Sequence, residues 1–308
     1  MKIYHDLKDF TKLDYAIVTS GTFDGVHVGH QKILSRVKEI ALRYGGETVV
    51  ITYWPHPRLI LQPDLDIRLL NTFEEKAELL RQQGINHLIR LNFTKEFSQL
   101  SSTDFIKNIL VDIIGTRKLI IGYDHKFGKN REGSFEELKV RGPEYGFDVE
   151  EIPAQDIDHV TVSSTKIRIA LESGDLDTAN HLLGQPYSIR GEVIRGDKLG
   201  RVLGFPTANI DIDSRHKLVP ADGIYAVTVR HEEKKYLGML YIGSRPTVNG
   251  RQRNIEVNIF EFDKEIYGEQ LTIDFHYAIR KDMKFNDLEA LKLQLQKDKE
   301  DTLKLFKQ

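Results

Sequence analysis

The chain has 308 residues, more than one hydrophobic core usually serves, so two domains are expected. Its formal net charge is -2, with 44 Lys and Arg against 46 Asp and Glu. No basic surplus exists to displace counterions, which excludes a general affinity for nucleic acid. There are no cysteines, which excludes disulfides, thiolate zinc sites and cysteine nucleophiles, and suits a reducing compartment.

The opening "MKIYHDLKDF" carries charges throughout and lacks the apolar run of a signal peptide. No apolar segment approaches the length that spans a bilayer. A cytoplasmic protein with no membrane association is the expectation.

In chain order, "YAIVTS" reads as a strand and "QKILSRVKEIALRYG" as a helix stopped by Gly45. "TVVITYW" is rich in β-branched residues and ends at Pro55 and Pro57, which cannot continue a central strand. "TFEEKAELLRQQG" opens with a capping-box pattern, Thr72 with Glu75, and closes at Gly84. "NHLIRLNF" is a predicted strand, "STDFIKNILVDIIG" a helix and "KLIIGYD" a strand. "SFEELKVRG" repeats the capping pattern with Ser134 and Glu137; a strand near "DVEEIPA" and the helix "SSTKIRIALESG" follow. This alternation calls for a doubly wound parallel sheet with helices on both faces, an α/β fold of Rossmann-like type. Such sheets bind ligands beyond the carboxyl ends of their strands.

Near residue 185 the rhythm changes. "GEVIRG", "TANIDID", "GIYAVTVRH", "YLGMLYIG", "NIEVNIFEF" and "QLTIDFHYAI" are short and separated by turns. They predict a small antiparallel β-barrel or sandwich, closed by the terminal helix "DLEALKLQLQKDKEDTLKLF". The joint falls at Gly184–Gln185–Pro186, giving domains 1–184 and 185–308.

Four unusual motifs converge on the carboxyl rim of the predicted sheet: "GTFDGVHVGH", "WPHP", "GYDHKFGKNREG" and "VSSTKIR". In the first, glycines behind a strand allow a sharp turn and close backbone approach to a ligand. The helix that follows aims free N–H groups and its positive dipole end into the turn. That end disfavours imidazolium, so His27 and His30 are expected to be neutral and able to donate to phosphate oxygens. The spacing of Gly21, Gly25 and Gly29 matches neither the P-loop nor the dinucleotide fingerprint. Two rivals stand beside this reading. A metal site needs a third ligand and lacks the glutamate of the helical zinc motif; alternatively, the histidines merely cap a helix.

"GTFDGVHVGH" resembles the HxGH motif of the nucleotidyltransferase superfamily, and "VSSTKIR" resembles its second signature. With "WPHP" and "GYDHKFGKNREG", the front half is similar to the FMN adenylyltransferase module of bacterial bifunctional riboflavin kinase/FAD synthetases. The resemblance implies that His27 and His30 hold the ATP phosphates and stabilise the transition state at the α-phosphate. Gly29 would let adenine lie against the backbone, with Gly21, Phe23 and Asp24 also around the nucleotide. Ser164, Thr165 and Arg168 would bind the β- and γ-phosphates. Asp124, Phe127 and Asn130 match positions near FMN and nucleotide; His125 stands where the family usually has an aromatic. Asp24 has three readings: orienting a histidine, helping carry magnesium, or forming an Asx-type turn.

"GEVIRGDKLGRVLGFPTANI" resembles the riboflavin kinase module, which implies a six-stranded barrel. The family's PTAN motif is intact, and implies that Thr207 and Asn209 bind magnesium and the ATP phosphates. Gly196, Gly200 and Gly204, with Lys198 and Arg201, would form a cationic flap over the triphosphate. On a strand, Glu256 and Asn258 face one side while Ile255, Val257 and Ile259 face the other. The resemblance makes Glu256 the base that takes the ribityl hydroxyl proton. The family often has histidine where this chain has Arg195 and Asn258.

What this implies is a two-module enzyme that phosphorylates riboflavin to FMN and adenylylates FMN to FAD. Its small-molecule partners would be riboflavin, FMN and ATP, with Mg2+ as the cofactor and no nucleic acid. Two alternatives are weighed against it: a flavin- or nucleotide-binding regulator that no longer turns over, and an aminoacyl-tRNA synthetase fragment, which would need a basic RNA-binding appendage.

Overall fold

The computed structural model describes residues 1–123, 126–129, 132–153, 162–196, 199–212, 214–247 and 250–307. The chain divides into two compact units, Met1–Ser164 and Thr165–Gln308.

The first unit is built on six parallel strands: β1 (Lys2–Tyr4), β2 (Ala16–Gly21), β3 (Glu47–Trp54), β4 (His87–Asn92), β5 (Thr116–Gly122) and β6 (Asp148–Ile152). Their spatial order is β1-β4-β3-β2-β5-β6. The chain winds outward from β2 in both directions, so the order reverses between β2 and β5, where parallel sheets open their binding crevice. β1 is a three-residue edge strand, too short to show a periodicity in the sequence.

The helices of this unit are α1 (Val28–Tyr44), α2 (Pro57–Leu61), α3 (Phe73–Gln82), α4 (Ser102–Asp104) and α5 (Phe135–Glu144). Alternation along the central strands separates two faces. Ile17 and Ile120 pack against Ile33, Val37 and Ile40 of α1. On that side too, Val50 and Leu88 meet Phe73, Ala77 and Leu80 of α3. Ala16, Val18, Val49, Ile51, Leu119 and Ile121 pack against Phe105, Ile106, Ile109 and Leu110 of the predicted helix "STDFIKNILVDIIG". That helix forms with a wider turn than expected: after α4, residues Phe105–Ile114 are a π-helix. Gly115, at φ 79°, donates its N–H five residues back to Leu110, whose carbonyl also takes the Thr116 hydroxyl at 2.7 Å.

The expected caps are present. Gly45 closes α1 in the left-handed region at φ 64°. At α3 the capping box is complete: Thr72 Oγ1 accepts from Glu75 N at 3.2 Å, and Glu75 Oε2 accepts from Thr72 N at 2.9 Å. At α5 only half of it forms. Ser134 accepts from Glu137 N, while the Glu137 carboxylate takes the Ser102 hydroxyl instead.

The second unit comprises α6 (Ser164–Ser173), whose first residue belongs to the first unit, then α7 (Leu176–Leu183) and a closed barrel. The barrel strands are β7 (Tyr187–Ile194), β8 (Ala208–Asp211), β9 (Gly223–His231), β10 (Lys234–Thr247), β11 (Gly250–Ile259) and β12 (Gln270–Lys281). They run antiparallel in the closed order β10-β11-β8-β7-β12-β9. Closure removes the exposed edges that an open sheet of this kind would carry. Two helices complete it, α8 (Leu199–Val202) and α9 (Leu288–Leu305).

The unit boundary at Ser164–Thr165 precedes the expected joint at Gly184, because α7 is fastened to the barrel. The Asn180 amide donates to the Phe275 carbonyl at 2.9 Å and accepts from Tyr187 N at 2.7 Å. α9 is fastened by packing of Leu291, Leu295 and Leu303 on Leu203, Phe205, Met239 and Phe260. An ion pair with a fully buried carboxylate assists: Asp298 accepts from Arg280 Nη2 at 2.7 Å and from Gln294 at 2.8 Å.

Candidate functional site

In the first unit the chain leaves β2 through a tight turn. Phe23 (φ 48°), Gly25 (φ 90°) and Val26 (φ 42°) all lie in the left-handed region. Two of the three are bulky, and such backbone persists only when its surroundings over-determine it. Those surroundings are visible. The buried Asp24 carboxylate accepts from Leu70 N at 3.0 Å and Asn71 N at 3.2 Å. The Asn71 side chain accepts from Gly25 N at 2.8 Å. Of the readings open for Asp24, the geometry adds a further one: it braces the turn against the segment that leads into α3. At the end of β2, a Cβ on Gly21 would press on the Phe23 ring at 3.3 Å.

The turn delivers the chain to α1 with His27 as its N-cap; His27 Nδ1 accepts from His30 N at 3.4 Å. With Nδ1 accepting, the proton of a neutral His27 sits on Nε2, which is left as a donor. The two imidazoles stack at 3.6 Å between centroids, 15° from parallel, and His30 leans on Phe23 at 5.0 Å. His30 Nδ1 is covered and has no hydrogen-bond partner among the described residues. Burial lowers the His27 pKa to about 4, against an upward pull from Asp24. Burial also holds His30 well below the usual imidazole range, helped by His27 and Lys76. Both are therefore neutral at pH 7, as the sequence suggested, but desolvation rather than the helix end is the main cause.

Gly29 lies buried in the first turn of α1. Ser164, the first residue of α6, donates its hydroxyl to the Asp24 carbonyl at 2.9 Å. It thereby ties the second signature to the first, and its hydroxyl proton is committed to that bond. Thr165 is exposed and Arg168 half-buried in the next turn and a half of α6. "WPHP" forms the start of α2: His56 caps it, accepting from Arg58 N at 3.2 Å, and Pro57 is its first residue. Of the loop expected to face the flavin, Asp124 and Asn130, with His125, lie outside the described residues. Phe127 is packed into the core at 5% exposure, against Phe105 at 5.5 Å, with its backbone bridged to Gly133. Its ring anchors the loop instead of opening onto it.

Sequence reasoning missed Lys76. It is 1% exposed, with Nζ 3.2 Å from Thr52 Oγ1 and 5.1 Å from the centroid of the Trp54 ring. The signal was present: Phe73, Lys76, Ala77 and Leu80 share the buried stripe of α3, where a lysine is out of place.

In the barrel, register places Glu256 beside Asn209 on one side and Tyr241 on the other. The Thr207 hydroxyl donates to Glu256 Oε2 at 3.2 Å. Asn258, two residues along the same face, donates to the Pro206 carbonyl at 2.5 Å and so holds the start of the PTAN segment. Two cavities flank that segment. The larger, about 250 Å³, is lined by Thr207, Glu256, Asn258, Tyr241, Met239 and Arg280. The smaller, about 80 Å³, is lined by Thr207, Arg201, Val193, Phe262 and Tyr267. Thr207 lines both, so the contact with Glu256 marks the boundary between them.

Two of the glycines expected in the flap, Gly196 and Gly200, have a packing reason that the sequence alone did not reveal. A Cβ on Gly196 would lie 2.2 Å from the Asn209 amide nitrogen, and one on Gly200 would lie 2.3 Å from the Phe205 carbonyl. Arg201 is exposed on α8, and Lys198 lies outside the described residues. Arg195 sits over the Tyr267 ring at 5.7 Å.

Fold and sites together define a two-module transferase. One module is a parallel sheet with an anion-ready turn; the other is a closed barrel with a carboxylate between two cavities. The family model for FAD synthetase matches residues 10–166, and that for riboflavin kinase matches residues 183–306. A bifunctional riboflavin kinase/FMN adenylyltransferase of Listeria monocytogenes is 39% identical over 94% of this chain and 92% of its own length. One from Bacillus subtilis is 36% identical over 94% of this chain and 92% of that one. A crystal structure described as a macrolide-efflux protein from Streptococcus pneumoniae is 30% identical, with a TM-score of 0.88 and 98% of both chains covered. Among the described residues of this chain no helix is long and apolar enough to cross a membrane. The chain belongs to the bifunctional riboflavin kinase/FMN adenylyltransferase family. The synthetase-fragment alternative gives way, because the second module is the kinase barrel and not an RNA-binding appendage.

Proposed function

We propose that each module works at the site described above, the barrel making FMN and the sheet unit converting it to FAD. The chain is a riboflavin kinase and an FMN adenylyltransferase. In the barrel, riboflavin occupies the larger cavity and the ATP phosphates approach from the smaller one. The ribityl 5′-hydroxyl oxygen bonds to the γ-phosphorus, its proton passes to Glu256, and the bond to the β–γ bridging oxygen breaks to release ADP. The contact between Thr207 and Glu256 supports this assignment, because Thr207 lines both cavities and Glu256 lines the larger one. Thr207 and Asn209, with the nearby Glu256 carboxylate, offer the oxygen donors that suit a hard cation. Mg2+ held there would neutralise phosphate charge.

In the sheet unit, a phosphate oxygen of FMN bonds to the α-phosphorus of ATP and pyrophosphate leaves. His27 donates from Nε2 to the oxygens that gain charge, His30 is stacked beside it, and the amides at the start of α1 add their dipoles. Gly29 leaves room for adenine. Asp124, Asn130 and the loop anchored by Phe127 take the flavin side. Neither reaction needs a covalent enzyme intermediate; positioning and charge stabilisation suffice.

Incubation with riboflavin, ATP and Mg2+, followed by separation of the flavins, is the test. FMN should appear first and FAD after it, with ADP and pyrophosphate in step. Recovery of unchanged riboflavin would overturn both assignments, and FMN without FAD would overturn that of the sheet unit.

A further inference from the structure

Lys76 is the buried charge that the reaction just described leaves unused. Among the described residues its ammonium makes one hydrogen bond, to the neutral Thr52 hydroxyl, and has no ion-pair partner. Thr52 in turn donates to the carbonyl of Thr22, where the chain enters the turn. Burying an ammonium without a carboxylate partner is costly, and an apolar side chain of similar volume would fill the place at no such cost. Lys76 stands on the stripe of α3 whose neighbours, Phe73 and Ala77, pack with Phe23 and Val26 of the turn. The His30 ring lies 5.0 Å from that of Phe23.

We propose that Lys76 is a positioning residue of the adenylyl-transfer site, a fixed positive charge beneath the turn that sets how His27 and His30 meet the phosphates of a nucleoside triphosphate. It rests on the assignment of that site to His27 and His30. The charged and titratable groups involved are few. Asp24 attracts Lys76 from the turn; His30 and His27 lie above; Arg90 shares its face of the sheet from β4, where it pairs with Thr52. Burial brings the Lys76 pKa down to about 8, so it stays mostly protonated at pH 7. From there its charge disfavours imidazolium at His30. An arriving polyphosphate relieves the unpaired ammonium and finds both imidazoles in the donor form.

The test uses the full chain, with riboflavin phosphorylation as the internal control for folding. In Lys76→Met, kcat/KM for ATP in FAD formation should fall by about tenfold or more. The acid limb of its pH profile should move to higher pH, because removing a neighbouring positive charge makes His30 easier to protonate. FMN formation should stay within about twofold of the parent. Thr52→Val removes the hydrogen bond but keeps the charge, and should leave the acid limb in place. A purely structural lysine would instead lower the unfolding temperature in both variants and move neither limb.

The unmodified protein supplies a second reading that needs no variant. Its kcat/KM for ATP should decline above pH about 8 as Lys76 loses its proton. An unmoved acid limb in Lys76→Met, or a flat basic side in the unmodified protein, overturns the proposal. His30→Ala separates the two levels: FAD formation that survives it refutes the site, whereas its loss beside an unaffected Lys76→Met refutes only the role of Lys76.

Discussion

The ring of His30 lies flat on the ring of His27, 3.6 Å between centroids, at the mouth of a helix that His27 caps and whose first turn holds His30. The stack fixes the orientation of both donors before any ligand arrives. It also places two titratable groups where protonating either one is costly.

That cost appears as a pH dependence of stability. The folded His27 pKa of about 4 lies below the ordinary 6.5, so the unfolded chain binds the extra proton first. Stability of the sheet unit should be undiminished above pH 6.5 and fall as pH drops from 6.5 towards 4. For His27 alone the loss amounts to about 3 kcal/mol, with more from His30. Thermal unfolding across this window should show the decline, and His27→Gln should flatten it. An equally steep decline in that variant would count against the burial argument.

The two activities should separate by substitution. His30→Ala should reduce FAD formation by about 10²-fold or more and leave FMN formation intact; Glu256→Gln should do the reverse. Product analysis with riboflavin and, separately, FMN as substrate reads both. Loss of both activities from either change in a folded protein would contradict separate sites.

Gly196→Ala adds one methyl group where the Asn209 amide already lies within 2.6 Å. Asn209 must move, and with it the oxygen donor offered to the metal and phosphates. Riboflavin phosphorylation should drop by about tenfold or more while FMN adenylylation is unchanged. Gly204, at φ 83° with open space around a Cβ, should respond through backbone strain and not through Asn209.

Asp298→Ala leaves the Arg280 guanidinium half-enclosed and without its carboxylate. Removing one member of a buried pair typically costs about 3–5 kcal/mol. The barrel unit should unfold at a lower temperature, and because Arg280 and Asp298 line the larger cavity, KM for riboflavin should rise as well. Calorimetry of the whole chain and initial-rate kinetics check the two effects separately.

Much of this architecture was legible before folding. Apolar alternation and helical spacing located most of the strands and helices, because those periods are local properties of the chain. Thr72 with Glu75 and Gly45 marked helix ends because caps are made by residues within four positions of one another. The strand β1 escaped, since three residues carry no period, and the π-helical turn at Phe105–Ile114 leaves the same apolar spacing as an α-helix would. The motifs at His27, Thr207 and Glu256 were likewise legible as residue types in order.

By itself, then, the sequence determined the two-module plan, the element types and the chemical groups at each strand end. Tertiary structure alone decided what those groups experience. Burial made the histidines neutral and brought an uncompensated Lys76 beneath them, and register across β8 and β11 set Glu256 beside Asn209. Asp24 became a brace only once Leu70 and Asn71 offered their amides. The physical reason is range: periodicity and capping act within a few residues, whereas desolvation, charge proximity and strand pairing depend on segments far apart in the chain.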